Sequence, residues 1–208
     1  MKILTSILAL SFFCAPLSCA ADGFTTIFDG KDLSKIKTAG NWKIQKDGSL
    51  FLEPRPGEKG WSRYGSYLWL KEDYKDFIFD FEYKHEKGGN SGLYFRIYDE
   101  TDPTTHGFEV QILDCFGKKK LGQHDLGGVI KTAGPLANGS KPAGEWNRMV
   151  VTMKEGRLSV VLNGKTVQDK LDLAANKPKN KRLADSGKIA IQDHGQKFWV
   201  RNLKVKSL

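Results

Sequence analysis

Apolar and polar residues alternate with a period of two along most of the chain, as expected of strands that bury one face. In "DFIFDFEYKH" (76–85), Phe77, Phe79, Phe81 and Tyr83 fall on one face, and Ile78, Asp80, Glu82 and Lys84 on the other. "RMVVTMKEGRLSVVLNGKTVQD" (148–169) predicts strands around a Gly-containing turn at 155–156 and around Asn163-Gly164, a strong signal for a tight hairpin. "GKIAIQDHGQKFWVRNLKVKSL" (187–208) predicts two closing strands around Gly195. No long segment holds a helical period; "KLDLAAN" (170–176) predicts one short helical turn. Short strands punctuated by Gly, Asn, Asp and Pro make one all-β domain, an antiparallel sandwich or barrel. Trp146 of "GEWN" is expected as a core aromatic and Asn163-Gly164 as a structural turn.

The stretch "NSGLYFRIYDETDPTTHGFEVQILD" (90–114) departs from a plain strand pair. Leu93, Phe95 and Ile97 share one face of the first strand, leaving Gly92, Tyr94, Arg96 and Tyr98 on the other. Phe108, Val110 and Ile112 share a face of the second, with Glu109 and Gln111 opposite. If the two pair through their aliphatic faces, Tyr94, Arg96, Glu109 and Gln111 become cross-strand neighbours on the face away from the core. An aromatic ring, a guanidinium, a carboxylate and an amide are suited to a sugar, with the ring on the apolar face of the pyranose and the polar groups on its hydroxyls. The alternative is an Arg96–Glu109 surface ion pair of little consequence.

Composition narrows the setting. "MKILTSILALSFFCAPLSCA" has a lysine, an apolar run and then small residues, the layout of a secretory leader,. The expected organisation is a signal peptide over 1–20 and one β-sandwich domain over 21–208, exported to the periplasm or the extracellular space. The apolar run is too short for a membrane span; acylation of Cys19, a lipid anchor, is the alternative reading of the same segment. Beyond the leader only Cys115 remains, so the core must do without an internal disulfide, and Cys115 is expected as a buried small hydrophobe,. The net charge of +9 suits an anionic partner, but the cations are scattered apart from "NKPKNKR" (176–182), which reads as a solvated loop,. A nucleic-acid partner is therefore not expected.

Glu109-x-Gln111-x-x-Asp114 has the spacing of a glycosidase arrangement, E-x-D-x-x-E. Positions 109 and 111 share a face about 6.6 Å apart, whereas 114 joins them only through a bulge. Gln111 is no acid or base, and retaining hydrolysis needs two carboxyls about 5–5.5 Å apart. His124 in "GQHDLGG" and His194 in "IQDHGQ" each sit beside an Asp in a Gly-rich turn and are candidate ligand contacts. No HExxH, CxxC, P-loop or GxGxxG is present. No cofactor is called for by any motif; a divalent metal shared by carboxylate and His groups is the one candidate.

"FTTIFDGKDLSKI", "NSGLYFR", "FEVQILD", "KPAGEWN", "VLNGK", "IAIQDHG" and "FWVRNLKVKSL" occur in this order. Over about residues 23–208 they resemble the exported family of 3-keto-disaccharide hydrolases, also described as 3-keto-α-glucoside 1,2-lyases and 3-keto-2-hydroxy-glucal hydratases. The resemblance implies a concanavalin A-like lectin/glucanase jelly roll and a small-molecule 3-keto-glucoside substrate. It also implies a chemistry in which a C3 ketone acidifies the C2 proton, a base removes it, and the C1 substituent leaves by β-elimination. Water added to the resulting 2-hydroxy-glucal gives the free 3-keto sugar.

Carried onto this chain, the resemblance marks Asn90, Arg96, Glu109, Gln111, Asp114, Gln192 and His194. The chemistry then suggests Glu109 as base, Arg96 as the enolate or keto-oxygen partner, His194 or His124 as acid, and Asn90, Tyr94, Gln111, Asp114 and Gln192 as substrate contacts. Where members often carry Tyr in the segment corresponding to "GGVIKTAGP", this chain has Ile130 and Lys131. That leaves open an altered leaving-group preference, an acid role for Lys131, or a descendant that only binds. The rival readings are a non-catalytic carbohydrate-binding module of the same fold and a conventional glycoside hydrolase.

Overall fold

The structure, a computed structural model, describes residues 23–208; the leader segment and Cys19 lie outside the described residues. In chain order the first strands are β1 (Thr25–Phe28), β2 (Ile36–Lys37), β3 (Trp42–Ile44), β4 (Leu50–Leu52), β5 (Leu68–Leu70), β6 (Phe77–His85) and β7 (Asn90–Ile97). The short helix α1 (Pro103–His106) precedes β8 (Phe108–Leu113), β9 (Asn147–Lys154), β10 (Arg157–Leu162) and β11 (Lys165–Asp172). Helix α2 (Leu173–Asn176), β12 (Lys188–Ile191) and β13 (Phe198–Ser207) complete the chain.

The strands form two antiparallel sheets, a larger one ordered β11-β10-β9-β6-β13-β4-β3, with β1 also on β13, and a smaller one ordered β2-β5-β12-β7-β8. The alternation explains what lies between them. Phe77, Phe79, Phe81 and Tyr83 of β6 are fully buried against Leu93 and Phe95 of β7, Val110 and Ile112 of β8, and Ile189 and Ile191 of β12. Cys115 is buried in the same core. The hairpin residues do as their types allow: Glu155 and Gly156, then Asn163 and Gly164, all have positive φ. Such pairs are the primed turns that match strand twist.

Four expectations change. A bulge in β7 sets Tyr94 opposite Ala190 but Ile97 opposite Lys188, so Phe95 and Arg96 together face Ile189. Arg96 takes φ +54 at that bulge, and the extra residue resets the alternation. Ile97 therefore joins Tyr67, Trp69, Tyr94 and Ala190 on the outer face. Arg96 is withdrawn from Glu109: its guanidinium donates to the carbonyls of Ala184 and Asp185 and pairs with Asp76 at 3.1 Å. Asp114 does not join Glu109 either, because β7 and β8 pair without a bulge from Asn90↔Leu113 to Phe95↔Phe108. Instead its carboxylate accepts from the Gly88 amide at 2.9 Å and holds the β6–β7 turn. Trp146 is no core residue; it lies partly exposed under the charges of Lys84 and Arg201. Helix α1, unforeseen, carries its own start signal, with Asp102 accepting from the Thr105 amide and Pro103 opening the first turn,.

Arg96 is nearly inaccessible, and removing it leaves Asp76 and two carbonyls without their donor. An Arg96→Met variant should lose about 3 kcal/mol of unfolding free energy, read as a lower urea midpoint with an unchanged slope. A shift too small to resolve would mean that the guanidinium acts as a surface charge.

Candidate active site

On the outer face of the smaller sheet, β7 and β8 set Tyr94 directly across from Glu109. The Tyr94 hydroxyl donates to Glu109 Oε2 at 2.6 Å. Glu109 lies across Gly92 of the neighbouring strand, where a Cβ would stand 2.1 Å from Oε1. Glycine at 92 is therefore the space in which the carboxyl sits. The Gln192 amide, buried at the end of β12, donates to the hydroxyls of Tyr94 at 3.3 Å and Tyr67 at 3.2 Å, and Tyr67 in turn donates to the Trp61 carbonyl at 2.5 Å. A single hydrogen-bonded row thus runs from Glu109 to the loop that carries Trp61.

A cavity of about 400 Å³ opens above this row. Its floor is Asn90, Tyr94, Glu109, Gln111 and Gln192, and its walls come from α1, with Thr104 and Thr105, and from loops, with Trp61, His124, Ile130 and Lys131, Pro178 and Lys181, and His194. Trp61 is 48% exposed and offers a ring of the sort that meets a sugar face. Its loop is clamped to the loop of His194. Arg63 pairs with the fully buried Asp193, which also accepts from Asn41 Nδ2 at 2.6 Å and from the Gly195 amide at 2.7 Å.

The electrostatics single out one acid. Burial pushes the Glu109 carboxyl up to about 7, against the opposing pull of the Tyr94 hydroxyl and the Lys181 ammonium,. Burial, reinforced by the adjacent Glu109, keeps the Tyr94 phenol protonated far above its ordinary range. Burial lowers His194, so its imidazole is neutral. Asn90 Nδ2 lies 3.2 Å from His194 Nε2; an amide nitrogen only donates, which puts the ring proton on Nδ1. Asn90 Oδ1 is buried with no protein partner, leaving an acceptor at the cavity floor. Burial also lowers Lys181, opposed by Glu109 and reinforced by Lys131.

Of the residues singled out from sequence, Asn90, Tyr94, Glu109, Gln111, His124, Lys131, Gln192 and His194 line this cavity, whereas Arg96 and Asp114 do not. Pro178 and Lys181 correct the reading of 176–182 as a solvated loop, and Trp61 and the threonines of α1 were unforeseen. Among the described residues, no three His, Cys, Asp or Glu side chains gather as a metal site. A second hollow, about 440 Å³ on the outer face of the larger sheet, is walled by Asp80, Glu82, Arg148, Asn202 and Lys204. Its carboxylates are already engaged, Asp80 by Arg148 and Glu82 by Arg201 and Asn202.

Comparison with known proteins identifies the family and the fold. The family model of the 3-keto-alpha-glucoside-1,2-lyase-like domain matches residues 23–206. A 3-keto-disaccharide hydrolase of Bacteroides thetaiotaomicron is 27% identical over 90% of this chain and 79% of its own length. A crystal structure from Parabacteroides distasonis, of a protein proposed to be a glycosyl hydrolase, superposes with a TM-score of 0.73 at 25% identity, covering 90% of this chain and 95% of that one. A Bacillus subtilis protein of unknown function with a galectin-like fold gives 0.53 at 17% identity, over 83% and 88% of the respective chains, a likeness of fold alone.

The environment of Glu109 has a thermodynamic signature. Unfolded, its carboxyl ionises near the ordinary 4.5; folded, it holds its proton to about 7. The folded chain thus keeps a proton that the unfolded chain has released, and stability falls as pH rises through this window. Glu109→Gln, neutral at every pH, should be more stable than the parent at pH 8, by on the order of 3 kcal/mol, and equal to it at pH 4. Urea melts at the two pH values check this; equal midpoints at pH 8 would deny the desolvation of Glu109.

Proposed function

The chain belongs to the 3-keto-alpha-glucoside-1,2-lyase-like domain family, and from that membership we propose that it is a glycoside-cleaving enzyme that eliminates the C1 substituent of a 3-keto-glucoside. The observation that carries the reading is the solitary carboxyl. Among the described residues that line the cavity, Glu109 is the only Asp or Glu. Hydrolysis through an oxocarbenium ion asks for a pair, whereas abstraction of an acidified proton α to a ketone asks for one base with a pKa near the working pH.

Glu109 takes the C2 proton, and the electron pair moves into the C2–C3 bond as the C3 oxygen gains negative charge. Lys181, whose ammonium acts on Glu109 from the same cavity, replaces Arg96 as the cation for that oxygen; an oriented donor there contributes about 10²–10³-fold. The C3 carbonyl then re-forms, the double bond moves to C1–C2, and the C1–O bond breaks with a proton delivered to the departing oxygen. His124, exposed on the rim, is the acid in this scheme. Neutral His194 holds Asn90, Asn90 Oδ1 accepts a sugar hydroxyl, and Trp61 covers the sugar face. Subsequent hydration of the glucal in the same cavity returns the free 3-keto sugar.

Incubation with a 3-keto-glucoside in D₂O should place deuterium at C2 and release the aglycone, with the parent glucoside untouched. The profile of kcat/KM should rise with pH through about 7, because the base works ionised,. Glu109→Gln should lose about 10³-fold and the limb together. Aglycone release by Glu109→Gln at the parental rate would remove Glu109 from the chemistry. Binding of parent and keto sugars alike, with neither exchange nor release, would make the protein a sugar-binding module.

A further inference from the structure

Lys131 stands at the tip of a pinned turn. The Val129 amide donates to the Ala133 carbonyl at 2.8 Å, the Thr132 amide to Val129 at 2.9 Å, and the Ile130 amide to the carbonyl of Glu109 itself at 3.1 Å. The lysine holds φ +57 there, a left-handed conformation that Gly or Asn adopts more cheaply. Its side chain is exposed yet lines the cavity. Of the carboxylates among the described residues, none lies within ion-pairing distance of it. Lys181, the other ammonium of the cavity, is likewise without a carboxylate at such distance; it donates to the Thr104 carbonyl at 2.7 Å and sits 5.2 Å from the Phe108 ring centroid. Two cations therefore face a cavity whose single carboxyl is the half-buried Glu109, and they repel one another. A neutral glycoside leaves that excess uncompensated, and an anion at the mouth relieves it.

We propose that Lys131, supported by the field of Lys181, makes the cavity mouth an anion subsite, and that the glycosides taken carry a negatively charged substituent on the aglycone. The inner lysine is committed beside Glu109, where the sugar ring is held. The outer one lies on the rim and meets what extends beyond the scissile bond. For turnover this rests on the keto-glucoside reading; for binding it does not.

The test has two arms. In the first, calorimetric affinities of the unoxidised 4-carboxyphenyl and 4-sulfophenyl glucosides are compared with that of the methyl 4-carboxyphenyl ester. The expected result is an advantage for each anion of about five-fold at low salt, abolished by 0.5 M NaCl. It is retained in Lys131→Arg and lost in Lys131→Met and Lys131→Gly; the glycine variant also relieves the backbone, so its loss of preference reports charge rather than a disturbed turn. In the second arm the corresponding 3-keto-glucosides are turned over, and the anion-to-ester ratio of kcat/KM should fall towards one in the same two variants. No anion preference in the parent, or a preference that survives in Lys131→Gly, overturns the proposal. An equal loss of kcat on ester and anion would overturn it too, by making Lys131 the leaving-group acid. Failure of every substrate to turn over, with the binding preference intact, sinks the enzyme reading and leaves the subsite standing.

Discussion

Withdrawal of one carboxyl from water organises this molecule's chemistry. Glu109 projects from a strand whose other face is packed in the core, and it lies flat against its neighbour only because position 92 has no side chain. Left to itself, a carboxylate so placed would refuse to ionise near neutral pH. The Tyr94 hydroxyl and the Lys181 ammonium return part of that loss, so the group is poised between its two protonation states rather than trapped in one. The position is expensive for the fold, and it is where sequence, packing and reactivity are tied together.

The rest of the cavity divides between what the sheet fixes and what loops supply. Tyr94, Gln111 and Gln192 are held by strands or by the end of a strand, and their spacing follows from register. Trp61, Lys131 and Lys181 come from segments far apart in the chain, and each is tied down separately: Trp61 through Tyr67 and the Arg63–Asp193 pair, Lys131 through backbone bonds to β8, Lys181 through Thr104. A rigid floor with adjustable walls is a common way to separate a reaction from the choice of substrate.

This division decides how much could be read from the sequence. Strand parity put Glu109 and Gln111 on one face and the phenylalanines of β6 in the core, because period-two patterning is a property of neighbouring residues alone. The hairpin at Asn163-Gly164 was legible for the same reason. Arg96 was misplaced because its position depends on a bulge, one added residue with no local signature, after which every parity assignment reverses. Lys181 was hidden in a lysine-rich run whose composition suits a solvated loop, and only the third dimension brings that run over Phe108. Trp61 was invisible as a site residue, since nothing near it in sequence relates it to β8. Trp146 shows the opposite error: a large aromatic was assigned to the core, although cations stacked on its faces let it remain at the surface.

The segment around Val129 has a second task. β8 is the last strand of its sheet, and its outer edge is occupied by this segment: Gln111 exchanges backbone bonds with Gly127 and Gly128, and the Glu109 carbonyl accepts from Ile130. An uncovered edge here would offer unpaired amides and carbonyls beside a largely apolar strand, a template for self-association. Ile130 and Lys131, which line the cavity, are thus borne on the segment that covers this edge. Diversification of the cavity mouth is confined to side chains, or to loop changes that preserve those backbone bonds, and swapping the whole segment would trade selectivity for solubility.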